Sequence, residues 1–392
     1  MGYSTITSSQ KVDVWDKKWR IIQEKGDDAL NSYMHENQLV LDLCKFKQPD
    51  TGRIASAFSE PLDLPNILGQ LLFHRIGGIA YYVFEQCGLL PKLNREFRNP
   101  LKMVYDASRE RTNSFLQAED MLAEIFADVP FPCAFLKGAL LSKIYPVGLR
   151  TSNDFDILIN QQDVQAITEL LTKHGFTQGF LRNDVFTPAT RSDILYARMN
   201  KGETVPFVKR IDLPHMPWLE VDVNFSLDFK AAQENDAVQR ILSRTEKTIV
   251  TENGALQTLL RTDFLIHLCT HLYKEATTYF WVNAQRDLSL YKFVDIYLFL
   301  ELYLDVQYAD ELALAINEYD LINECFYTLY YTRELFGLEN ALLDKLIEKI
   351  TPEKLYALRL VFAPKEKKVY QFDIDYIDYL FHPNRLSCLT EV

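Results

Sequence analysis

The sequence predicts an α+β protein with a small mixed β-sheet core flanked by N- and C-terminal helical regions. Three observations lead there. Glycine (14) and proline (15) both fall below average usage in a chain of 392 residues, which disfavours long turn-rich all-β architecture. Apolar residues recur at helical spacing through most of the length. Between about residues 126 and 230 that period gives way to short buried runs alternating with helices. The chain is 48% apolar and 24% charged, the proportions of a globular protein. Its length allows two or three domains, each able to bury a core without disulfide or metal.

Residues 1–60 read as an N-terminal extension in which charged helix-like stretches precede the turn-rich QPDTGR. Residues 61–125 read as a helical subdomain. The run ILGQLLFHRIGGIAYYVFEQ keeps helical spacing there, and Pro65 suits a first helical turn. Pro130 and Pro132 end that helix. In the core, residues 126–230, CAFL reads as a buried strand, ALLSKIY as a helix and FDILIN as a second strand. DVQAITELLTKHGF follows as a helix stopped by Gly175. Polar, β-prone segments occupy about 180–210, and LEVDVNFSL is an alternating strand with Glu220, Asp222 and Asn224 on one face. Residues 231–392 form a C-terminal helical domain, helical almost to the end. Its aromatic-rich helices from Tyr291 to Phe336 read as core rather than as a base-stacking platform.

The net charge of -12 repels nucleic acid and anionic lipid unless a local basic patch overrides it. Such a patch lies at 191–210, where five basic residues accompany two acidic ones. The six cysteines are scattered without a C-x-x-C pair and read as reduced thiols. MGYSTITSSQ lacks a basic region followed by an apolar run, and Ile6 spoils the myristoylation pattern. No membrane association and a cytoplasmic location are expected.

The chemistry concentrates in FLKGALLSKIYPVGLRTSNDFDILI, residues 135–159. A strand ends at Lys137-Gly138, a helix starts at once, and a loop returns to a strand that opens with Asp154 and Asp156. Glycine at such a junction lets backbone approach a ligand, and a helix start attracts anions. Lys137, Lys143 and Arg150 are basic and nothing between Ala134 and Asn153 is acidic, a composition suited to cradling a triphosphate. Period 2 puts Asp154 and Asp156 on one face, where a divalent cation would relieve their repulsion. If the strand of Asp222 pairs alongside, three carboxylates converge and can hold two Mg²⁺ ions. Asp373 and Asp375 repeat the D-x-D spacing without a glycine-led helix start, and serve as an internal control. His267 and His271 have the i, i+4 spacing of zinc ligands, but Leu268 replaces the Glu of H-E-x-x-H and no third ligand follows, so they read as core or supporting histidines. Asp287 and Asp295, placed in a long helix, read as a cap or an ion pair.

LKGALLSKIYPVGLRTSNDFDILI resembles the signature of an uncharacterised nucleotidyltransferase family of the DNA polymerase beta superfamily. There a strand ending L-K-G leads to a helix, Tyr-Pro, an Arg loop and D-x-D-x-L. The resemblance extends to LEVDVNFSL, and more weakly to DFLIHLCTHLYKE and KFVDIYLFL, over about residues 65–300. It implies a Mg²⁺-dependent (or Mn²⁺-dependent) transfer of a nucleoside monophosphate from a triphosphate, ATP in the first instance, to an acceptor, with release of pyrophosphate. Asp154, Asp156 and Asp222 would bind metal, Gly138 would let the triphosphate approach, and Lys137 and Arg150 would contact phosphates. Ala139 stands where many members place a Ser, leaving Ser142 or Ser152 as substitutes. Asn224 stands where relatives often show His. A small molecule, a peptide or a protein side chain fits this acidic chain better as acceptor than RNA. The alternative is a catalytically silent protein of the same fold that acts as a partner-binding scaffold. The Lys137 ammonium is expected to point at the anion bound by the helix start, the alternative being a stem packed along the sheet edge with its head in water, so that Lys137→Met weakens triphosphate binding by about 1–3 kcal/mol and, leaving no buried partner unpaired, barely changes stability.

Overall fold

The computed structural model describes residues 27–226, 236–353 and 355–392. Residues 1–26 of the expected extension, Leu227 of the last core strand and residues 231–235 of the expected helical domain lie outside them. The N-terminal part holds α1 (Asp27–Leu43), α2 (Thr51–Ala57), α3 (Leu64–Phe73), α4 (Gly77–Gln86) and the long α5 (Arg95–Ile125). The core follows with β1 (Cys133–Phe135), α6 (Gly138–Ile144), β2 (Phe155–Ile159), α7 (Val164–Lys173), β3 (Thr177–Arg182) and β4 (Val185–Pro188). It continues through α8 (Arg191–Asn200), β5 (Phe207–Leu213), β6 (Met216–Asn224), α9 (Asp236–Leu242), β7 (Glu246–Thr251) and β8 (Gly254–Thr258). Beyond it lie α10 (Arg261–Ala276), α11 (Tyr279–Asn283), α12 (Leu290–Tyr303), α13 (Val306–Glu318), α14 (Ile322–Phe336) and α15 (Ala341–Lys349). A small sheet of β9 (Leu360–Ala363), β10 (Lys368–Phe372) and β11 (Leu389–Glu391), with α16 (Tyr376–Phe381), closes the chain.

The α+β architecture with a mixed sheet and helical flanks is as expected, but the sheet is not small. It has eight strands in the order β4-β3-β5-β6-β2-β1-β8-β7. The last two come from the hairpin at 246–258, within the stretch expected to be helical. β8 pairs parallel with β1 at Phe135↔Thr258, and the Thr258 hydroxyl donates to the Phe135 carbonyl at 2.6 Å. The polar stretch at 180–210 also contains the helix α8, started by a reciprocal Thr190–Asp193 capping box.

β2 sits between β6 and β1, and all five of its residues are buried, as a continuous apolar run in a central strand should be. Its side chains divide between two cores. Phe155, Ile157 and Ile159 join Val221 and Val223 of β6 in a cluster under α5, where Phe115 stacks on Phe155 at 4.1 Å between ring centres. Leu158, with Ala134 of β1 and Leu136 just after it, faces the opposite way into a larger cluster. That second cluster joins residues of α1 to α5 with residues of α10 and of α12 to α16. Alternation along β2 therefore turns Asp156 toward the helical side of the sheet.

Candidate active site

β2 and β6 run parallel in a register that sets Asp156 directly against Asp222. Asp154 stands in the bend just before β2, one period earlier. Strand pairing between segments more than sixty residues apart thus sets Asp156 and Asp222 side by side. Burial raises the pKa of Asp154, and the Asp156 charge raises it further. For Asp222 burial and the charges of Asp154, Asp156, Glu220 and Glu203 push the carboxyl well above its ordinary range. Glu220, on the same face of β6, is a fourth carboxylate at the site. Burial and then Asp154 and Asp156 push it up to about 7.

Against this negative charge stands Lys137. Its Nζ lies 3.0 Å from Asp156 Oδ1, with the two side chains 20% and 11% exposed. Burial alone would lower its pKa, but Asp156 and Asp154 outweigh burial and raise it. Its backbone has φ 37°, in a region that costs an L-residue energy, directly before Gly138. The lysine expected to leave no buried partner unpaired is instead the largely buried counterion of Asp156. Lys137→Met is therefore expected to lower the melting temperature of the ligand-free protein, because it leaves the carboxylates uncompensated. An unchanged melting temperature in calorimetry would return Lys137 to the role of a surface residue.

The other residues singled out in the sequence have partners of their own. A Cβ at Gly138 would come within 2.7 Å of Ser152 Cβ and Oγ, so glycine is required there by the packing of the 151–154 loop against the start of α6. The Ser152 hydroxyl donates to the carbonyl oxygen and to Oδ1 of Asp154, both at 3.2 Å, and so fixes that carboxylate. Arg150 grips Asp295 of α12 through Nε and Nη2 at 2.9 to 3.1 Å, and the Tyr145 hydroxyl donates to Asp295 Oδ1 at 2.9 Å. Lys143 Nζ lies 2.6 Å from Glu119 Oε2 of α5. Each of the three cations of the expected phosphate cradle thus has a carboxylate partner. Asp375 caps α16 by accepting from the Ile377 amide at 2.8 Å, which gives that carboxylate a structural role. Asp287 lies in the loop before α12 rather than in a helix, and pairs with Arg385 at 2.6 Å. His267 and His271 are neighbours on α10 with ring centres 6.3 Å apart.

Sequence reasoning missed Arg111. Its Nε donates to the Ser152 carbonyl at 3.1 Å and its Nη1 to the His215 carbonyl at 2.6 Å, tying α5 to the carboxylate loop. No spacing rule connects residue 111 to residue 152, so nothing short of the fold reveals it.

The donor set at Asp154, Asp156 and Asp222 consists of hard oxygens short of positive charge, which suits Mg²⁺ or Mn²⁺. As the side chains stand, no three His, Cys, Asp or Glu residues among the described residues gather closely enough to hold an ion. Lys137 is the cation bound to Asp156 in this state. The fit is therefore one of chemistry and strand register, with Lys137 to be displaced.

The Glu119–Lys143 pair yields a prediction of its own. Burial pushes the Glu119 carboxyl from 4.5 up to about 7, so the folded protein holds this proton more tightly than the unfolded chain does. Its contribution to stability is full below the unfolded value and is lost as pH rises through the folded one. Between about pH 5 and 8 the melting temperature of the native protein should fall relative to that of Glu119→Gln, which cannot ionise. Parallel curves would show that Lys143 keeps Glu119 charged throughout.

A family model described as an uncharacterised nucleotidyltransferase matches residues 60–337, from α3 through α14. No curated protein matched the sequence. None of the described helices is long and apolar enough to cross a membrane.

Proposed function

The chain belongs to this nucleotidyltransferase family, and from that premise we propose that it transfers a nucleoside monophosphate from a triphosphate, ATP in the first instance, to an acceptor hydroxyl or similar group. The observation that carries the reading is the register of Asp156 against Asp222, with Asp154 one period away and too little positive charge nearby to balance them. Asp154, Asp156 and Asp222 would hold Mg²⁺ or Mn²⁺, which when bound polarises the α-phosphate and stabilises the leaving pyrophosphate. Asp222 accepts the acceptor's proton as its oxygen attacks the α-phosphorus and the bond to the β-phosphate bridge breaks. Ser152 and Arg111 keep the carboxylate loop in place. With metal on these carboxylates Lys137 would serve as a cation for phosphate. The acidic balance of the chain favours a small molecule, a peptide or a protein side chain over RNA as acceptor.

Thermal melting tests the site without knowledge of the acceptor. Mg²⁺ or Mn²⁺ with a nucleoside triphosphate should raise the melting temperature more than nucleotide alone, since ligands that bind only the native state stabilise it. Equal shifts with and without metal would count against the carboxylate site. They would favour the second reading, a non-catalytic scaffold of the same fold, to which the paired state of all three cradle cations also points. Transfer of an α-labelled phosphate with Mg²⁺ in a panel of small-molecule and peptide acceptors would exclude the scaffold.

A further inference from the structure

We infer that the outward face of α8 docks an acidic, apolar segment of a partner polypeptide, and that this segment belongs to the acceptor. The docking rests on the surface of α8 alone, while the assignment as acceptor rests on the nucleotidyltransferase reading. α8 carries its large apolar side chains on the side away from any core. Of its residues Ala197 alone is buried, whereas Leu195, Tyr196 and Met199 are 49%, 50% and 68% exposed. Leu195 and Met199 stand one turn apart with Tyr196 beside them, so the three form one stripe that faces solvent. Single exposed apolar residues are ordinary, but a contiguous stripe marks an interaction surface. A helix this short is marginal in water unless it buries a face. The fold gives α8 the Thr190–Asp193 capping box, the burial of Ala197 and a 3.4 Å hydrogen bond from Arg198 to the Thr168 hydroxyl of α7. A segment lying along the stripe adds the burial that the core does not.

Charge selects the partner. Of the basic residues at 191–210, Lys201 pairs with Glu203, Arg210 pairs with Asp212, and Lys209 lies over the Phe176 ring. Arg191 and Arg198 make no ion pair among the described residues, and at i and i+7 they line the side of the stripe nearest Leu195. An apolar stripe edged by cations without carboxylates is complementary to a segment that mixes apolar and acidic side chains. A second copy of the chain would set the arginines of one α8 against those of the other. RNA would engage the arginines through its phosphates and leave Leu195 and Met199 in water. An anionic membrane would meet the field of a chain whose net charge is -12.

Connectivity ties this surface to the carboxylates. α8 ends at Asn200, and the residues that follow are bonded to the end of β6. The Phe225 amide donates to the Gly202 carbonyl and the Thr204 amide to the Val223 carbonyl, both at 2.9 Å. Glu203 pairs with Asn224, two residues beyond Asp222, and its charge is felt at Asp222. Four residues carry the chain from Met199 to Glu203, a span of at most about 14 Å. An extended segment of about four or five residues beyond the stripe covers that distance, and so brings an acceptor group to Asp222.

Selection of short random peptides displayed on phage against the immobilised full chain tests the surface. Selected peptides should combine Leu or Phe with Asp and Glu. Their affinity should fall by about tenfold or more for the double variant Leu195→Ser, Met199→Ser, in which two apolar side chains no longer gain by burial. It should fall by about threefold for Arg191→Glu, a change that favours the start of α8 and so does not act by unfolding it. Thermal melting of the ligand-free variants, and its shift with Mg²⁺ and a nucleoside triphosphate, should match the native protein. With α-labelled ATP and Mg²⁺, label should appear on selected peptides extended at either end by serine, threonine, tyrosine and lysine, and should be lost with the double variant. Selection of no peptide, of peptides without acidic residues, or of peptides that bind the variants as tightly would overturn the docking surface. Single-stranded RNA or phosphatidylserine vesicles bound in place of peptides, and released by the same substitutions, would overturn it too. Peptides that bind but take no label would overturn the acceptor assignment. The nucleotidyltransferase reading falls with it only where the native protein also lacks a metal-dependent shift in melting with nucleotide.

Discussion

Asp156→Asn is expected to lower nucleotide transfer by about 10³-fold or more while the melting temperature of the ligand-free protein stays level or rises. The loss follows from the place of Asp156 at the centre of the carboxylate group. It faces Asp222 across the parallel pair and is the residue that Lys137 contacts, so the amide removes the charge that draws the metal. Several kcal/mol of lost transition-state stabilisation correspond to about that factor. The gain in stability follows from the same crowding. Asp154 and Asp222 are each raised by the Asp156 charge, so neutralising it relieves both. Lys137 keeps Asp154 and Asp222 within reach of its charge, and no buried cation is stranded. Asp222→Asn should behave alike and also flatten the pH dependence of stability. The folded state holds the Asp222 proton to higher pH than the unfolded chain does, and that stabilisation is lost as pH rises through the folded value. A site selected for catalysis at the expense of stability gives this opposed pair of signs. Asp375→Asn is the control, because asparagine caps α16 as well as aspartate does. Transfer lost in Asp375→Asn as well, or retained in Asp156→Asn, would show that the wrong acidic pair carries the chemistry.

The legible part of this site is the part that local periodicity controls. CAFL, FDILIN and LEVDVNFSL announce strands, and alternation alone puts Asp154, Asp156 and Asp222 where strand pairing can join them. Which carboxylate each cation takes is a different matter. Lys143 and Arg150 read as phosphate ligands because no acid lies near them in sequence, yet their partners are Glu119 on α5 and Asp295, 145 residues from Arg150. Such choices depend on how helices pack across the sheet, and the chain encodes them only through that packing. Two further elements carry local signals outside the apolar period. Asn253-Gly254 between EKTIVT and ALQT is a hairpin turn signal, and it marks β7 and β8. Thr190 followed by Asp193 is a capping pattern, and it starts α8. Both lie in polar stretches where the apolar period is weak, so the turn and cap residues carry the information that hydrophobicity does not.

The largest effect on stability is expected from Asp295→Ala, about 3–5 kcal/mol, the cost of stranding a buried charge. Arg150 and Asp295 are 12% and 4% exposed, and their contact is bidentate. Among the described residues the Arg150 guanidinium has no other carboxylate at hydrogen-bonding distance, and it cannot shed its proton. Removing Asp295 also strips the Tyr145 hydroxyl of its acceptor. The reverse truncation should cost less. Burial raises the Asp295 pKa, so in Arg150→Met the carboxyl can take up a proton and remain bonded to Tyr145. The double variant Arg150→Met, Asp295→Leu should recover much of the loss, because buried ion pairs contribute little beyond an apolar pair of similar size. Function responds differently. Arg150 begins the loop that carries Ser152 and Asp154, and its attachment to α12 sets the reach of that loop, so transfer should stay low in the double variant even where the fold is restored. Denaturant unfolding of the four proteins of the cycle, with transfer measured on the same samples, separates the two effects. Were Asp295→Ala to melt within a degree or two of the native protein, Arg150 would be free of Asp295 in solution, and its guanidinium would return to the phosphates as a direct ligand.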